Sequence, residues 1–221
     1  MALAYLLLFF VFEVSKSHAF TQGVNKMLSG DINPVSIGAS VAISIFLIKE
    51  FLEAYRKSKA RSRKVKALKA IISEEIEINY WAWIQIETLV NKVKEFPRTT
   101  DYKISTSTSG VERFEFIHID GSFGGGSLPP VTEKIFNKLI IDIAELDKVF
   151  YEKAISYSKS IADLKHLRNG AYDFIHETQL GDHYTDGFAD YALDELPPIY
   201  TTMSKFYEIC TGEELTKHRM R

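Results

Sequence analysis

A strongly acidic stretch of this 221-residue chain lies between Arg168 and Lys205, where seven acidic residues occur without a lysine or arginine. If this stretch is helical, four aspartates share one face, namely Asp182, Asp186, Asp190 and Asp194. Like charges at this spacing repel, and pairing with a basic segment or a divalent cation would compensate them. The alternative is a solvated face with Asp182 as an N-cap. His176 and His183 match no calcium-loop or zinc signature, and we predict no metal and no cofactor.

A second set of reactive residue types is Arg168, Asn169 and His176, within LRNGAYDFIH. This set resembles the Arg-Asn to His motif of HEPN ribonucleases, which are helical enzymes. The resemblance implies that Arg168 stabilises phosphate charge and that His176 moves a proton. Seven residues separate Arg168 from His176, more than the family usually has, so on one helix the side chains point differently. The alternative is a helix C-terminus that ends in a turn at Asn169 and Gly170.

Other catalytic templates are absent from the sequence, which has no nucleophile elbow, zinc-protease helix, kinase motif or dinucleotide fingerprint. The run GSFGGGS at 121–127 has no lysine in phosphate-loop spacing, so we predict a flexible connector. Lone Cys210 predicts a packing role and fits a reducing compartment. The closing KHRMR is too short to indicate nucleic-acid binding. We therefore predict no catalytic residue, no nucleic-acid partner and no small-molecule substrate.

A basic segment lies far upstream of these residues. Residues 49–69 contain nine basic and two acidic residues, a net charge of +7. They follow 17 residues without a formal charge, 32–48, which would extend ~25 Å as a helix against ~30 Å of hydrocarbon. We predict a transmembrane helix that Phe51 and Leu52 can extend. The basic side chains expected to face lipid are Arg56, Lys57, Lys59, Arg61, Arg63, Lys64 and Lys66.

Small residues mark one face of this predicted span. Ser36, Ser40 and Ser44 recur every four residues, with Gly38 beside them, which lets another helix approach closely. The first apolar run, 1–12, leaves three alternatives: a first transmembrane leg, a signal peptide, or an interfacial or core helix. The positive-inside rule puts the chain after residue 48 in the cytosol. We predict the plasma membrane or bacterial inner membrane.

Two long helical patterns follow. Apolar residues recur at alternating intervals of four and three between Val65 and Val93, with Asn79 in the stripe and Pro97 after it. A second apolar stripe extends over 131–168. Antiparallel pairing that sets Val131 beside Pro97 would set Arg168 beside residue 60. The acidic stretch would then meet the basic segment.

The residues between these patterns alternate in polarity over 102–107 and 111–119, with Ser109 and Gly110 between them. This spacing predicts a β-hairpin in which Phe114 and Phe116 share one face.

The predicted fold is mainly α: one transmembrane helix or a helical hairpin over 1–52, a basic juxtamembrane segment over 53–69, and a cytosolic antiparallel helical hairpin or bundle over 70–221 with a small β-hairpin insertion. We expect an interaction protein that binds membrane lipids and a protein partner or a second copy. The layout is similar to that of small membrane effectors of bacterial anti-phage systems. The alternatives are a membrane-tethered HEPN-like ribonuclease and a structural subunit of a membrane complex.

Overall fold

The computed structural model of this protein describes residue 22 and residues 34–95, 100–118, 120–180, 187–216 and 218–219. Their structure is mainly helical with a small antiparallel sheet, as predicted. The elements in chain order are α1 (Pro34–Glu95), β1 (Thr100–Thr106), β2 (Glu112–His118), β3 (Phe123–Ser127), α2 (Lys134–Leu146), α3 (Lys148–Leu180) and α4 (Phe188–Thr211).

The chain divides into two compact units, Met1–Ala60 and Arg61–Arg221. Among the described residues, no helix combines the length and the apolar composition that crossing a membrane requires.

The predicted apolar stripe of α1 is the buried face of this helix in the second unit. Its fully buried members include Ile72, Ile76, Ile86 and Val90. Leu68, Ile78 and Leu89 widen the buried face, whereas Ile71 is exposed. The broad stripe allows α1 to contact α2, α3 and α4, because each apolar side chain removed from water stabilises the packed state.

The single helix predicted over 131–168 is wrong, because the chain breaks at Asp147. The Asp147 backbone is extended, and its N–H closes α2 by donating to the Ile143 carbonyl at 3.0 Å. Its carboxylate then accepts the Phe150 N–H at 3.0 Å and caps the start of α3. One aspartate thus ends one helix and begins the next.

The helix end predicted at Arg168–Gly170 is also wrong, since α3 continues to Leu180. Gly170 lies inside the helix, where a Cβ atom would come within 3.1 Å of the Phe188 ring. The absence of a side chain therefore permits close approach of the start of α4 to α3.

The predicted antiparallel pairing of α3 with α1 is wrong as well. α2 runs against α1, since Phe136 lies at Glu75 and Asp142 lies at Lys64. The reversal at Asp147 then makes α3 parallel to α1.

Three contacts fix that direction: Phe150 lies at Lys69, Tyr157 at Asn79, and Gln179 donates to the Tyr102 carbonyl in the sheet. α4 returns antiparallel, from Leu196 at Trp83 to Ile209 at Lys69.

The sheet has the order β1-β2-β3 and is antiparallel throughout. β1 and β2 form the predicted hairpin, in which Phe114 is buried and Phe116 lies on the same face. The flexible connector predicted at 121–127 is wrong, because 123–127 forms β3. Gly124 and Gly126 lie against the rings of Phe116 and Phe114, where added Cβ atoms would approach ring carbons to 2.5 and 2.7 Å. These two positions require glycine because the phenylalanine rings lie so close to the β3 backbone.

Candidate functional site

Three of the basic side chains at the start of the second unit contact other helices of the bundle. Arg61 donates from Nε to the Leu146 carbonyl at 2.8 Å, where α2 ends. Lys64 pairs with Asp142 of α2 at 2.8 Å. Lys69 donates to the Ile209 carbonyl at 2.9 Å near the end of α4. Cations at helix C-termini are favourable because backbone carbonyls there lack helical partners.

The remaining predicted lipid-facing cations are exposed. In the second unit, Arg63 and Lys66 are exposed and make no hydrogen bond or ion pair with any residue that the structure describes. In the first unit, Arg56 and Lys59 are exposed, and Lys57 pairs with Glu53 at 2.7 Å. This hydrogen bond lowers the pKa of Glu53 and raises the pKa of Lys57.

The sequence predicts that the acidic stretch meets the basic segment at residues 49–69. This prediction is wrong for Asp190. Asp190 pairs with Lys94 at the last turn of α1, at the opposite end of the bundle from Arg61. Asp194 is exposed. Asp182 and Asp186 lie outside the described residues. The parallel direction of α3 explains the difference, because α3 carries the chain away from residues 61–69 before Asp190 is reached.

Arg168 lies where α3 meets the sheet. Its Nε donates to the Pro129 carbonyl at 3.0 Å, and one terminal nitrogen donates to the Leu128 carbonyl at 3.1 Å and pairs with Glu112. Its guanidinium lies 5.4 Å from the centre of the Tyr172 ring. Burial, and then a hydrogen bond to Glu112, raise the pKa of Tyr172 to about 12.

The structure does not bring Arg168 and His176 together. Asn169 helps to line a shallow cavity of about 460 Å³ with Glu112, Arg168, Tyr172 and Asp173, and His176 is not among these lining residues. His176 is exposed on the same continuous helix, eight residues later, or ~12 Å along the axis. The arrangement makes Arg168 a connection between α3 and the segment that follows β3.

Replacing Arg168 with alanine is expected to lower the free energy of unfolding by about 2 kcal/mol, because two backbone carbonyls and Glu112 lose their donor. Lysine at this position should recover less than half of that loss, since an ammonium group lacks the planar fork. Urea unfolding followed by circular dichroism measures both. Lys165→Ala, an exposed residue on the same helix, should change stability by less than about 0.5 kcal/mol. An unfolding midpoint of Arg168→Ala equal to that of the native chain would contradict this role.

Exposed apolar side chains surround α1 between residues 41 and 48 in the first unit. Six of them are 52–62% exposed, namely Val41, Ile43, Ile45, Phe46, Leu47 and Ile48. The last four are consecutive, and successive residues of an α-helix are rotated by about 100°, so apolar groups face every direction around α1. Of the predicted packing face, Ser44 is exposed, while the side chains of Ser36, Gly38 and Ser40 lie outside the described residues.

The sheet edge is a surface that the sequence analysis missed. β3 is an outer strand of the sheet, and its first residue, Phe123, is 85% exposed. Ile117 lies directly opposite Phe123 on β2 and is 39% exposed. The glycine run concealed this strand, because the strand signal depends on side chains that alternate in polarity.

No group of three or more histidine, cysteine or acidic side chains within the described part of the chain could hold a metal ion. Cys210 is partly buried on α4, and this burial raises the pKa of its thiol to about 12. A thiol with so high a pKa is a poor nucleophile near neutral pH.

No family model matches this sequence, and neither the curated proteins nor the solved structures include a significant match to it.

Proposed function

We propose that this protein is a membrane-anchored interaction protein, held in the plasma membrane or bacterial inner membrane by the segment around Ile43. Residues from about 49 onward lie in the cytosol, where the second unit binds a protein partner. The chain acts through this binding and through association of its anchor helices along the face of Ser36, Gly38, Ser40 and Ser44.

The observation that carries this proposal is the apolar surface around the whole circumference of α1 between residues 41 and 48. A helix that packs on one side in water keeps a polar side, whereas the 52–62% exposure here includes every direction. Water is an unfavourable surrounding for such a surface, and hydrocarbon is a favourable one. If lipid surrounds this part of α1, the exposed apolar surface is explained without a protein partner on every side of the helix.

The exposed cations that follow support the proposed orientation. Arg56 and Lys59 in the first unit, and Arg63 and Lys66 in the second, are all exposed. Lysine and arginine next to an apolar span favour the cytosolic side, and each well-placed cation adds about 1 kcal/mol of attraction to anionic lipid.

The contacts of Arg168 favour interaction over the ribonuclease alternative. That alternative needs a guanidinium directed at phosphate, but two carbonyls and Glu112 already occupy this group. His176 would also have to act on the same phosphate from ~12 Å along the helix.

Membrane fractionation of the full chain tests the anchor. We expect the native chain to sediment with membranes, to resist alkaline carbonate and to be released by detergent. Placing lysine at both Ile43 and Phe46 should shift the chain to the aqueous fraction by ~100-fold or more, since each buried lysine costs about 3 kcal/mol.

The matched control carries the same two added charges in the second unit. Ile71 and Ile141 are also exposed apolar residues, and replacing both with lysine should leave the membrane fraction unchanged. Release of the native chain by carbonate alone, or retention of the variant with lysines at 43 and 46, would refute the anchor.

A further inference from the structure

The outer edge of β3 carries backbone groups that point away from the rest of the sheet. Flanking bonds from His118 N–H to the Ser122 carbonyl, and from Leu128 N–H to the Glu112 carbonyl, fix the phase of the β2–β3 ladder. In that phase, the N–H and C=O groups of Phe123 and Gly125 point away from β2. Neither residue's outward groups bond to any other residue within the described ranges.

Gln85 marks the end of this open edge. The next outward N–H belongs to Ser127, and it donates to the Gln85 side-chain oxygen at 3.1 Å. This bond agrees with the phase of the ladder. Ser127 is two residues beyond Gly125, so its N–H also points away from β2. The open edge therefore consists of Phe123 and Gly125, with up to about four hydrogen bonds available to an added strand.

Apolar side chains lie directly beside these backbone groups. At 85%, Phe123 is the most exposed large apolar side chain in the part of the chain that the structure describes. Ile117, its register partner, contributes to the same outer face. An apolar patch next to outward-pointing backbone donors and acceptors matches an extended peptide, whose backbone pairs with the edge while alternate side chains cover the patch.

β3 also lacks the features with which proteins block a strand edge. Its sequence, FGGGS, has no charge and no proline, and it pairs with β2 without a bulge. Side chains cannot be added to this edge freely, because a Cβ on Gly125 would overlap the Phe114 carbonyl oxygen.

We propose that β3 binds an extended segment of a protein partner as a fourth strand of the sheet, with an apolar partner side chain against Phe123 and Ile117. This inference rests on the proposed interaction function and names its binding mode. It does not depend on the anchor, since β3 and all its contacts belong to the second unit.

Peptide selection on the full chain tests this binding mode. The probe is a phage-displayed library of random peptides about 12 residues long. We expect selected peptides to alternate apolar and polar residues and to bind without helix formation. Methylating backbone nitrogens one at a time should weaken binding by ~10-fold or more at alternate positions only, because every second N–H of an added strand points to β3.

Variants of the protein complete the test. Phe123→Pro removes the ring and an outward N–H and should reduce peptide binding by ~10-fold or more, whereas Phe123→Ser keeps the N–H and should have a smaller effect. Ile141→Ser, at a residue 72% exposed on α2, is the matched control and should bind peptide as the native chain does. Circular dichroism confirms folding of each variant.

Three results would overturn the proposal. They are selection of no peptide, a methylation profile without alternation, and self-association of the chain that Phe123→Ser abolishes, which would make a second copy the occupant. Peptide binding with the expected alternation, in a chain that carbonate releases from membranes, would refute the anchor and leave this inference intact.

Discussion

Replacing Glu75 with alanine is expected to lower the free energy of unfolding by about 3 kcal/mol, the largest single loss that we expect from a polar residue of this protein. Glu75 is only 1% exposed on α1, and its carboxylate lies at the first turn of α2. One oxygen accepts the Ile135 N–H at 2.9 Å, and the other accepts the Phe136 N–H at 2.7 Å.

The loss is large because the N-cap residue of α2 does not cap the helix. The side chain of Glu133, at its N-cap position, makes no capping hydrogen bond, so the acceptor comes from another helix. Removing the carboxylate leaves two amides without partners, one of them in buried Phe136, and also removes a negative charge from the positive end of the helix. Glu75→Gln should lose somewhat less, because one amide oxygen can still accept.

Urea unfolding of the full chain, followed by circular dichroism, measures these losses. The neighbouring Glu74 supplies the control, since its 3.3 Å pair with Arg219 is exposed and Glu74→Ala should cost less than about 1 kcal/mol. Equal unfolding midpoints for Glu75→Ala and Glu74→Ala would contradict the capping role.

The buried face of α1 could be predicted from the sequence, whereas the direction of the following helices could not. Apolar residues at intervals of three and four identify a buried face whatever packs against it. The apolar stripe continues through the break at Asp147 without a change of spacing, and no glycine or proline stands there. The only local signal is an aspartate suited to capping, and such residues are also common on helix surfaces.

The glycines at 170 and 124–126 were also assigned wrongly from local sequence alone. Gly170 and the run at 124–126 predict a stop and a loop when only local conformation is considered. Their role depends on the rings that lie against them, from Phe188 in α4 and from Phe114 and Phe116 in β2. These close contacts arise from tertiary packing, so they cannot be predicted from the residues on either side of each glycine. The sheet edge was missed for this reason, and it became a candidate site only with the strand order known.

Replacing Asn79 is expected to cause the second large loss in the free energy of unfolding. Its side chain is 0% exposed. Its Nδ2 donates to the Thr132 carbonyl at 2.8 Å and to the Tyr157 hydroxyl at 2.9 Å, while its Oδ1 accepts the Thr132 N–H at 2.9 Å. Three elements therefore meet at one amide: α1, the segment before α2, and α3.

Asn79→Ala should lower the free energy of unfolding by about 2–3 kcal/mol, because one buried and two partly buried polar groups lose partners at once. Asn91→Ala, at an exposed position on the same helix, should change it by less than about 0.5 kcal/mol. Burial raises the pKa of Tyr157, so its hydroxyl stays protonated over the neutral range in which the measurement is made.

A double-mutant cycle separates the Tyr157 bond from the two bonds to Thr132. Tyr157→Phe should cost about 1 kcal/mol alone and distinctly less in the Asn79→Ala background, a coupling of about 0.5–1 kcal/mol between α1 and α3. Additive losses would contradict a direct bond. A coupling in this range would mean that one amide helps to select the parallel α1–α3 arrangement over the antiparallel one that the apolar spacing alone allows, because only the parallel arrangement brings Tyr157 to Asn79.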